Sequence, residues 1–290
     1  MKLVFFTKTL KALSVEEYLQ KAHTLQLDGF DLCVRPAYAI NPDNVESALP
    51  AFTAAARQDG LDVAMLTTNM ADPADAGSER ILRAMDKAGV RLAKLAYYYF
   101  GRQKDADYWA EVEKLRVRFG AWEKLARQYH VKLLYHTHSA DEEGPNYMGS
   151  NAASQMHLLN GFDPACLGAY IDPAHQRVEG EQFDYAVAMT RKYLAAVALK
   201  DVGLAWDEKH YRVVRKWLRA GEGLVEWDLV FSELVRINFT GPISVHAEYT
   251  SANETEFFAH LPLEIAFFRA QLEKAQAARA PKYAHLSAKW

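Results

Sequence analysis

The chain has 290 residues, half of them hydrophobic, enough to enclose a large core in one domain or two. Its formal charge of −3 argues against capture of nucleic acid, which needs a basic stripe. Cys33 and Cys166 alone make neither a disulfide framework nor a paired thiolate metal motif, and no stretch approaches the roughly 20 apolar residues of a membrane span. The opening "MKLVFFTKTLKAL" is too short an apolar run, and too interrupted by Lys8 and Lys11, for a secretory leader. The expectation is a cytoplasmic protein that engages neither nucleic acid nor membrane.

Short apolar runs alternate with longer amphipathic ones. "KLVFF" is followed by "SVEEYLQKAHTLQ", where Ser14 can cap a helix and Glu17 completes a capping box. Next come "GFDLCV" with "NPDNVESALPAFTAAARQDG", then "VAMLTT" with "AGSERILRAMDKAG", whose Gly89 reads as a helix stop. "LAKLAYYY" leads into a helical span from about Asp105 to Gln128. In the second half "VKLLYH" precedes a polar loop and "NAASQMHLLNG", and "LGAYID" precedes "FDYAVAMTRKYL". "AAVALKD" precedes "VEWDLVFSELVRIN", and "PISVHAE" precedes "ETEFFAHLPLEIAFFRAQLEKAQAA".

About eight strand–helix units with no Pro/Gly/Ser-rich linker predict an α/β protein, a single-domain (β/α)8 TIM barrel over residues 1–276. An open doubly wound sheet is the competitor, but no "GxGxxG" follows the first strand. Residues 277–290 are expected as a C-terminal tail. There Pro281 ends the last helix, and Tyr283, Leu286 and Trp290 either pack back on the barrel or a second subunit, or stay disordered.

A barrel carries its chemistry at the carboxyl ends of its strands. Asp31 and Arg35 end the second strand, Thr67, Thr68 and Asn69 the third, and Tyr97, Tyr98 and Tyr99 the fourth. His136 and His138 end the fifth, at i and i+2 and so on one face. Asp172 and His175 of "YIDPAH" end the sixth, Lys200 and Asp201 the seventh, His246 and Glu248 the eighth. Singly, each has a plain structural explanation: a hydrogen-bonded strand-end histidine, a turn aspartate before proline, a packing tyrosine. Together, four histidines, two acids and a lysine around one ring are costly to bury unless paired or metal-bound. That convergence predicts a site.

"DGFDLCVRP", "GLDVAMLTTNM", "LLYHTHS", "GAYIDPAHQRVEG", "VALKD", "LRAGEGLVEWD" and "ISVHAEY", in that order over nearly the whole chain, resemble the xylose isomerase-like barrels, in particular their sugar phosphate isomerase/epimerase branch. The resemblance implies a divalent ion (Mn, Mg or Zn) held by a Glu ending strand five, an Asp ending strand six, a His in strand seven and a Glu in strand eight. Here Asp172 matches the Asp, while His136 stands at the strand-five Glu and Ala198 at the strand-seven His. The strand-eight Glu falls on His246, or on Glu248 if the register slips by two. The ligand set carried over is therefore His136, Asp172 and His246, a combination suited to zinc, manganese or iron. A decayed metal site is its alternative.

The activity so implied is a sugar isomerase or epimerase working through an enediolate-type intermediate. Glu248 is the candidate base, His138 or His175 the acid, and Lys200 or a metal the electrophile. Lys200 as a Schiff-base lysine is the minor alternative. Arg35, Asn69, Tyr97 and Trp206 are the candidate substrate-binding residues, Arg35 being equally explicable as an ion pair with Asp31, and Trp206 and Trp217 as cover for helices or a subunit contact. The substrate is expected to be a small carbohydrate, free or phosphorylated, and the chain to form a homo-oligomer, commonly a dimer. A lyase or dehydratase acting on a keto-sugar or keto-inositol, and a non-catalytic carbohydrate-binding barrel, are the competing readings.

Overall fold

The computed structural model describes residues 1–11, 13–101, 105–140 and 144–278. In chain order the strands are β1 (Lys2–Phe6), β2 (Gly29–Val34), β3 (Asp62–Thr68), β4 (Leu92–Lys94), β5 (Tyr99–Phe100), β6 (Lys132–His136), β7 (Asn146–Tyr147), β8 (Leu167–Ile171), β9 (Leu194–Leu199), β10 (Asp201–Asp207), β11 (Arg212–Leu218) and β12 (Pro242–Val245). The helices are α1 (Val15–Thr24), α2 (Val45–Gln58), α3 (Ala76–Ala88), α4 (Tyr108–Gln128), α5 (Ala152–Leu159), α6 (Pro173–Val178), α7 (Phe183–Thr190), α8 (Trp227–Arg236) and α9 (Glu254–Ala278).

Eight parallel strands close into a barrel in the order β1-β12-β9-β8-β6-β4-β3-β2, which is the predicted (β/α)8 architecture in a single domain. Local signals act as the sequence suggests. Ser14 and Glu17 make the reciprocal capping box of α1, and Gly89 ends α3 in the left-handed conformation with φ 68. Two apolar layers follow from strand alternation. One large layer lies between strands and helices, and a smaller one, including Met65, Leu134, Tyr170, Ala196 and Ala198, fills the barrel itself. The tail beyond residue 278 lies outside the described residues, so its packing or disorder is not described.

Two segments differ from expectation. The stretch "VGLAWDEKHYRVVRKW", which falls between the strand and the helix of the seventh unit read from the sequence, is mostly an antiparallel hairpin, β10–β11, in which Val202 faces Trp217 and Trp206 faces Val213. Charged residues alternate with apolar ones along β11, and its partly exposed pattern hid the strand. The fourth barrel strand is also shorter than the apolar run "LAKLAYYY": it stops at Lys94, and Tyr99 instead pairs with Tyr147 in the small β5–β7 ribbon.

Candidate active site

Strand parity assembles the mouth of the barrel. Phe6, Asp31, Thr67, Lys94, His136, Tyr170, Lys200 and His246 each belong to the inward-facing set of their strand or its immediate extension. A cleft of about 80 Å³ opens there, lined by Phe6, Lys8, Arg35, Thr67, Lys94, Tyr97, His136, His138, Tyr170, Lys200, His246 and Glu248. A larger groove lies elsewhere, between α1 and α9, but it carries no comparable set of converging polar groups.

Asp172 is the centre of the deep side. It follows β8 as the N-cap of α6, where Oδ1 accepts the backbone N–H of Ala174 at 2.9 Å and of His175 at 3.3 Å. Oδ2 makes no hydrogen bond and faces His136 Nε2 at 3.7 Å, His175 Nε2 at 3.8 Å and Lys200 Nζ at 3.4 Å. Both imidazole nitrogens are orphaned too. Three unsatisfied buried atoms meeting in one spot are costly in an empty protein interior and point to an occupant.

The supporting bonds orient this group. The Tyr97 hydroxyl lies 3.0 Å from His136 Nδ1. His175 Nδ1 accepts the Ser139 N–H at 3.1 Å, and Ser139 Oγ in turn accepts from Arg215 at 2.7 Å. Below them Asp31 accepts hydrogen bonds from Thr67, Ser244 and Tyr170, and the Tyr170 hydroxyl lies 2.7 Å from His246 Nε2. With the Tyr170 proton given to Asp31, His246 donates from Nε2 and leaves Nδ1 with its lone pair.

Burial is the largest influence on all four imidazoles. It holds His136, His175 and His246 well below the ordinary histidine range, with neighbouring cations adding to the effect. His138 is pulled down to about 2 by burial and then by Lys200. All four are therefore neutral. Since His138 Nδ1 sits 2.9 Å from the Ser139 carbonyl, that nitrogen carries the proton and Nε2 is the basic one.

Glu248 closes the rim. Ala247, just before it, adopts a left-handed conformation with φ 44, and this breaks the strand alternation after His246. The Glu248 carboxylate accepts from Lys200 at 2.7 Å and from Lys8. Burial would raise its pKa, but Lys200 above all, with Lys8, outweighs burial and holds it well below the ordinary carboxylate range. Lys200 shows the reciprocal effect: burial opposes its charge, but Asp172 and Glu248 keep it an ammonium. That ammonium also lies 4.2 Å from the Trp217 ring centroid. An ammonium held this firmly has no lone pair for imine formation, which removes the support for a Schiff base at Lys200.

Of the residues expected at the site, His136, His138, Asp172, His175, Lys200, His246, Glu248, Arg35 and Tyr97 are gathered at this mouth. Asn69 and Trp206 are not. Asn69 lies beyond the end of β3, exposed and away from the cleft lining. Trp206 is 59% exposed near the tip of the β10–β11 hairpin. The hairpin brings Trp217 in its place, with its ring 5.0 Å from that of His175. Arg35, offered also as an ion pair with Asp31, lines the cleft, and Asp31 takes its hydrogen bonds from hydroxyls instead. Lys8, Lys94 and Trp217 were missed. Lys94 and the inward parity of β4 were both legible, but the lysine sits inside an apolar run and reads as a surface interruption.

Residues 19–269 match the family described as xylose isomerase-like TIM barrel. The chain belongs to that family. No curated protein sequence matches it. Among solved structures, it resembles 3-keto-D-glucoside 4-epimerase YcjR from E. coli in its apo form, at 15% identity and TM-score 0.70, over 93% of this chain and 99% of that one. D-psicose 3-epimerase with D-tagatose from Clostridium cellulolyticum H10 superposes with TM-score 0.70 at 14% identity, over 94% and 99%. The probable 3-DHS dehydratase AsbF of petrobactin synthesis from Bacillus anthracis does so with TM-score 0.69 at 16% identity, over 93% and 99%. At these identities the likeness is one of fold. Among the described residues no helix is long and apolar enough to cross a membrane.

The donor set fits a divalent ion. One ligating atom each from His136, Asp172 and His246 lie within 4.8 Å of one another. Two of these residues have an orphaned buried atom, and both imidazoles are neutral, as ligands must be. Ala198, fully buried at the inward position two residues before Lys200, offers no ligand.

Proposed function

We propose that this protein moves a proton between neighbouring carbons of a polyhydroxy carbonyl compound, as a sugar isomerase or epimerase. The observation that carries this reading is that Glu248, the one carboxylate lining the cleft, is held ionised across from neutral His136 and His138. A fixed carboxylate within reach of a carbon next to a carbonyl is the base such chemistry needs. Lys200 anchors Glu248 and supplies positive charge where the enediolate oxygen develops. His138, in the cleft lining, can relay the proton to the second carbon, and His175, its ring 3.9 Å from that of His138, faces Asp172 at 3.8 Å.

His136, Asp172 and His246 are the residues that would hold a divalent ion, manganese, magnesium or zinc, and the ion would polarise the substrate carbonyl. Tyr97 and Tyr170 then serve as the groups that orient the two imidazoles. The substrate is a small carbohydrate. The likeness to epimerases of 3-keto-glucosides and of D-psicose supports this choice of chemistry, and the equal likeness to a dehydratase keeps elimination from the same enediolate as the second reading.

The test is incubation with D-fructose, D-tagatose and D-psicose in heavy water, with and without added Mn, Mg or Zn. Carbon-bound deuterium is expected by NMR, reduced by about 10²–10⁴-fold in Glu248→Gln. Uptake that survives in Glu248→Gln, or no uptake with any carbonyl sugar or sugar acid while sugars still bind, would favour a non-catalytic carbohydrate-binding barrel.

A further inference from the structure

The cleft is lined by four cations, Lys8, Arg35, Lys94 and Lys200, against the single carboxylate of Glu248. Lys8 and Lys200 are committed to that carboxylate, and Lys200 also to Asp172. Arg35 and Lys94 are left. Among the described residues neither has a carboxylate within ion-pair distance, and the Arg35 Nε is inaccessible to solvent and makes no hydrogen bond. Its guanidinium lies 5.7 Å from the Phe6 ring centroid. Lys94 is 2% exposed, with its nitrogen 3.4 Å from the Tyr97 ring centroid.

The acid nearest in electrostatic terms, Asp31, does not neutralise them. Its oxygens are engaged by Thr67, Ser244 and Tyr170, and burial pushes its pKa up to about 6. Lys94 is buried and Arg35 half-buried, so positive charge there without a counter-ion is costly, and a ligand that brings the missing negative charge removes that cost. The rim is thus divided. At β2 and β4 it presents Arg35 and Lys94 without an acidic partner, and from β6 through β12 it presents the imidazoles and the Lys200–Glu248 pair.

We propose that the substrate is a sugar acid, a polyhydroxy carbonyl compound whose terminal carboxylate is taken by Arg35 with Lys94 beside it. This deepens the reaction proposed above and rests on it for the carbonyl, though not for the carboxylate. The planar fork of arginine matches a carboxylate with two parallel hydrogen bonds. Phosphate sites in barrels are built from backbone N–H groups of glycine-rich turns and helix starts, and no glycine lines this cleft. Burial, and then Arg35, hold the Lys94 pKa well below its ordinary value, and an arriving anion would favour its charged form.

Titration calorimetry on the full chain tests this with matched probes that lack a carbonyl, so that binding is read without turnover. D-gluconate is compared with D-glucitol, and D-glucitol 6-phosphate with D-glucitol, at fixed ionic strength. Gluconate is expected to bind at least tenfold more tightly than glucitol. Arg35→Gln should abolish that preference without changing the Kd for glucitol, and Arg35→Lys should restore part of it. Lys94→Met should weaken gluconate more than glucitol. Equal affinity for gluconate and glucitol overturns the proposal, as does equal weakening of both by Arg35→Gln. A phosphate preferred over the carboxylate overturns it as well. Gluconate preference without deuterium exchange on any ketose or keto-acid leaves this inference standing and removes the reaction; exchange on neutral ketoses without gluconate preference does the opposite.

Discussion

Asp172 and Asp201 are both fully buried, one following β8 and the other opening β10, and they use their carboxylates in opposite ways. Asp201 Oδ1 accepts the N–H groups of Val202 at 2.9 Å and Val225 at 3.2 Å. Its Oδ2 accepts Gly221 N–H at 2.9 Å, Gly223 N–H at 3.2 Å and the Trp227 indole N–H at 2.9 Å. The "Gly-Glu-Gly" stretch is therefore the wrapping of one buried carboxylate. A side chain at Gly223 would put its Cβ 2.2 Å from Asp201 Oδ1, and Gly221 has φ +85, so both glycines are required. Asp172 spends one oxygen on a helix cap and turns the other, unsatisfied, toward two imidazoles and an ammonium. Burial does not distinguish the structural acid from the functional one; the destination of the lone pairs does.

Glu264 on α9 guards against reading too much into an orphan. Both its oxygens are buried without a hydrogen bond, and among the described residues it makes no ion pair. Burial, aided by Asp201, pushes its pKa up to about 8, so it answers its isolation by keeping its proton. An unsatisfied acid marks a site only where other unsatisfied donors and acceptors converge on it.

Three experiments press on this contrast. Asp201→Ala strands five N–H donors and is expected to cost about 3–5 kcal/mol, read as the largest fall in Tm, while the folded protein keeps its catalytic rate. Glu264 sets a pH dependence. Its folded pKa is raised from the ordinary glutamate value of 4.5 to about 8, so its stabilising effect is complete below 4.5 and is lost as pH rises to about 8. Unfolding free energy should fall across that window by up to about 1.4 kcal/mol per pH unit, read as a falling Tm, and Glu264→Gln should flatten it above pH 6. Below that, Asp31, raised to about 6, contributes a residual slope of the same sign. Asp172→Asn keeps the helix cap and should move Tm least, by about 2–4 °C, while deuterium exchange falls roughly 10²-fold. If instead Asp172→Asn unfolds the chain and Asp201→Ala silences it while folded, the assignment of the two aspartates is reversed.

Much was legible before any coordinates. Alternating apolar runs, the Ser14 cap and the Gly89 stop specify units that are determined locally, and about eight such units in one chain leave few closed solutions. The period-2 rule then sends His136, Lys200 and His246 inward, and Asp172 follows from the end of β8. What resisted was anything set by partners distant in sequence. Trp206 and Trp217 look equivalent in sequence, but the pairing of Val202 with Trp217 keeps one at the base of the hairpin beside Lys200 and sends the other to its tip.

The sequence by itself determined the barrel, its direction, and therefore which rim carries chemistry, because turn signals and side-chain period act over a few residues. Only the tertiary structure decided the state of each group. Whether a carboxylate is quenched like Asp201, protonated like Glu264 or left open like Asp172 depends on donors brought from other strands. Charge and hydrogen bonding in a buried mouth are properties of the assembled ring, set across distances in sequence that no local pattern spans.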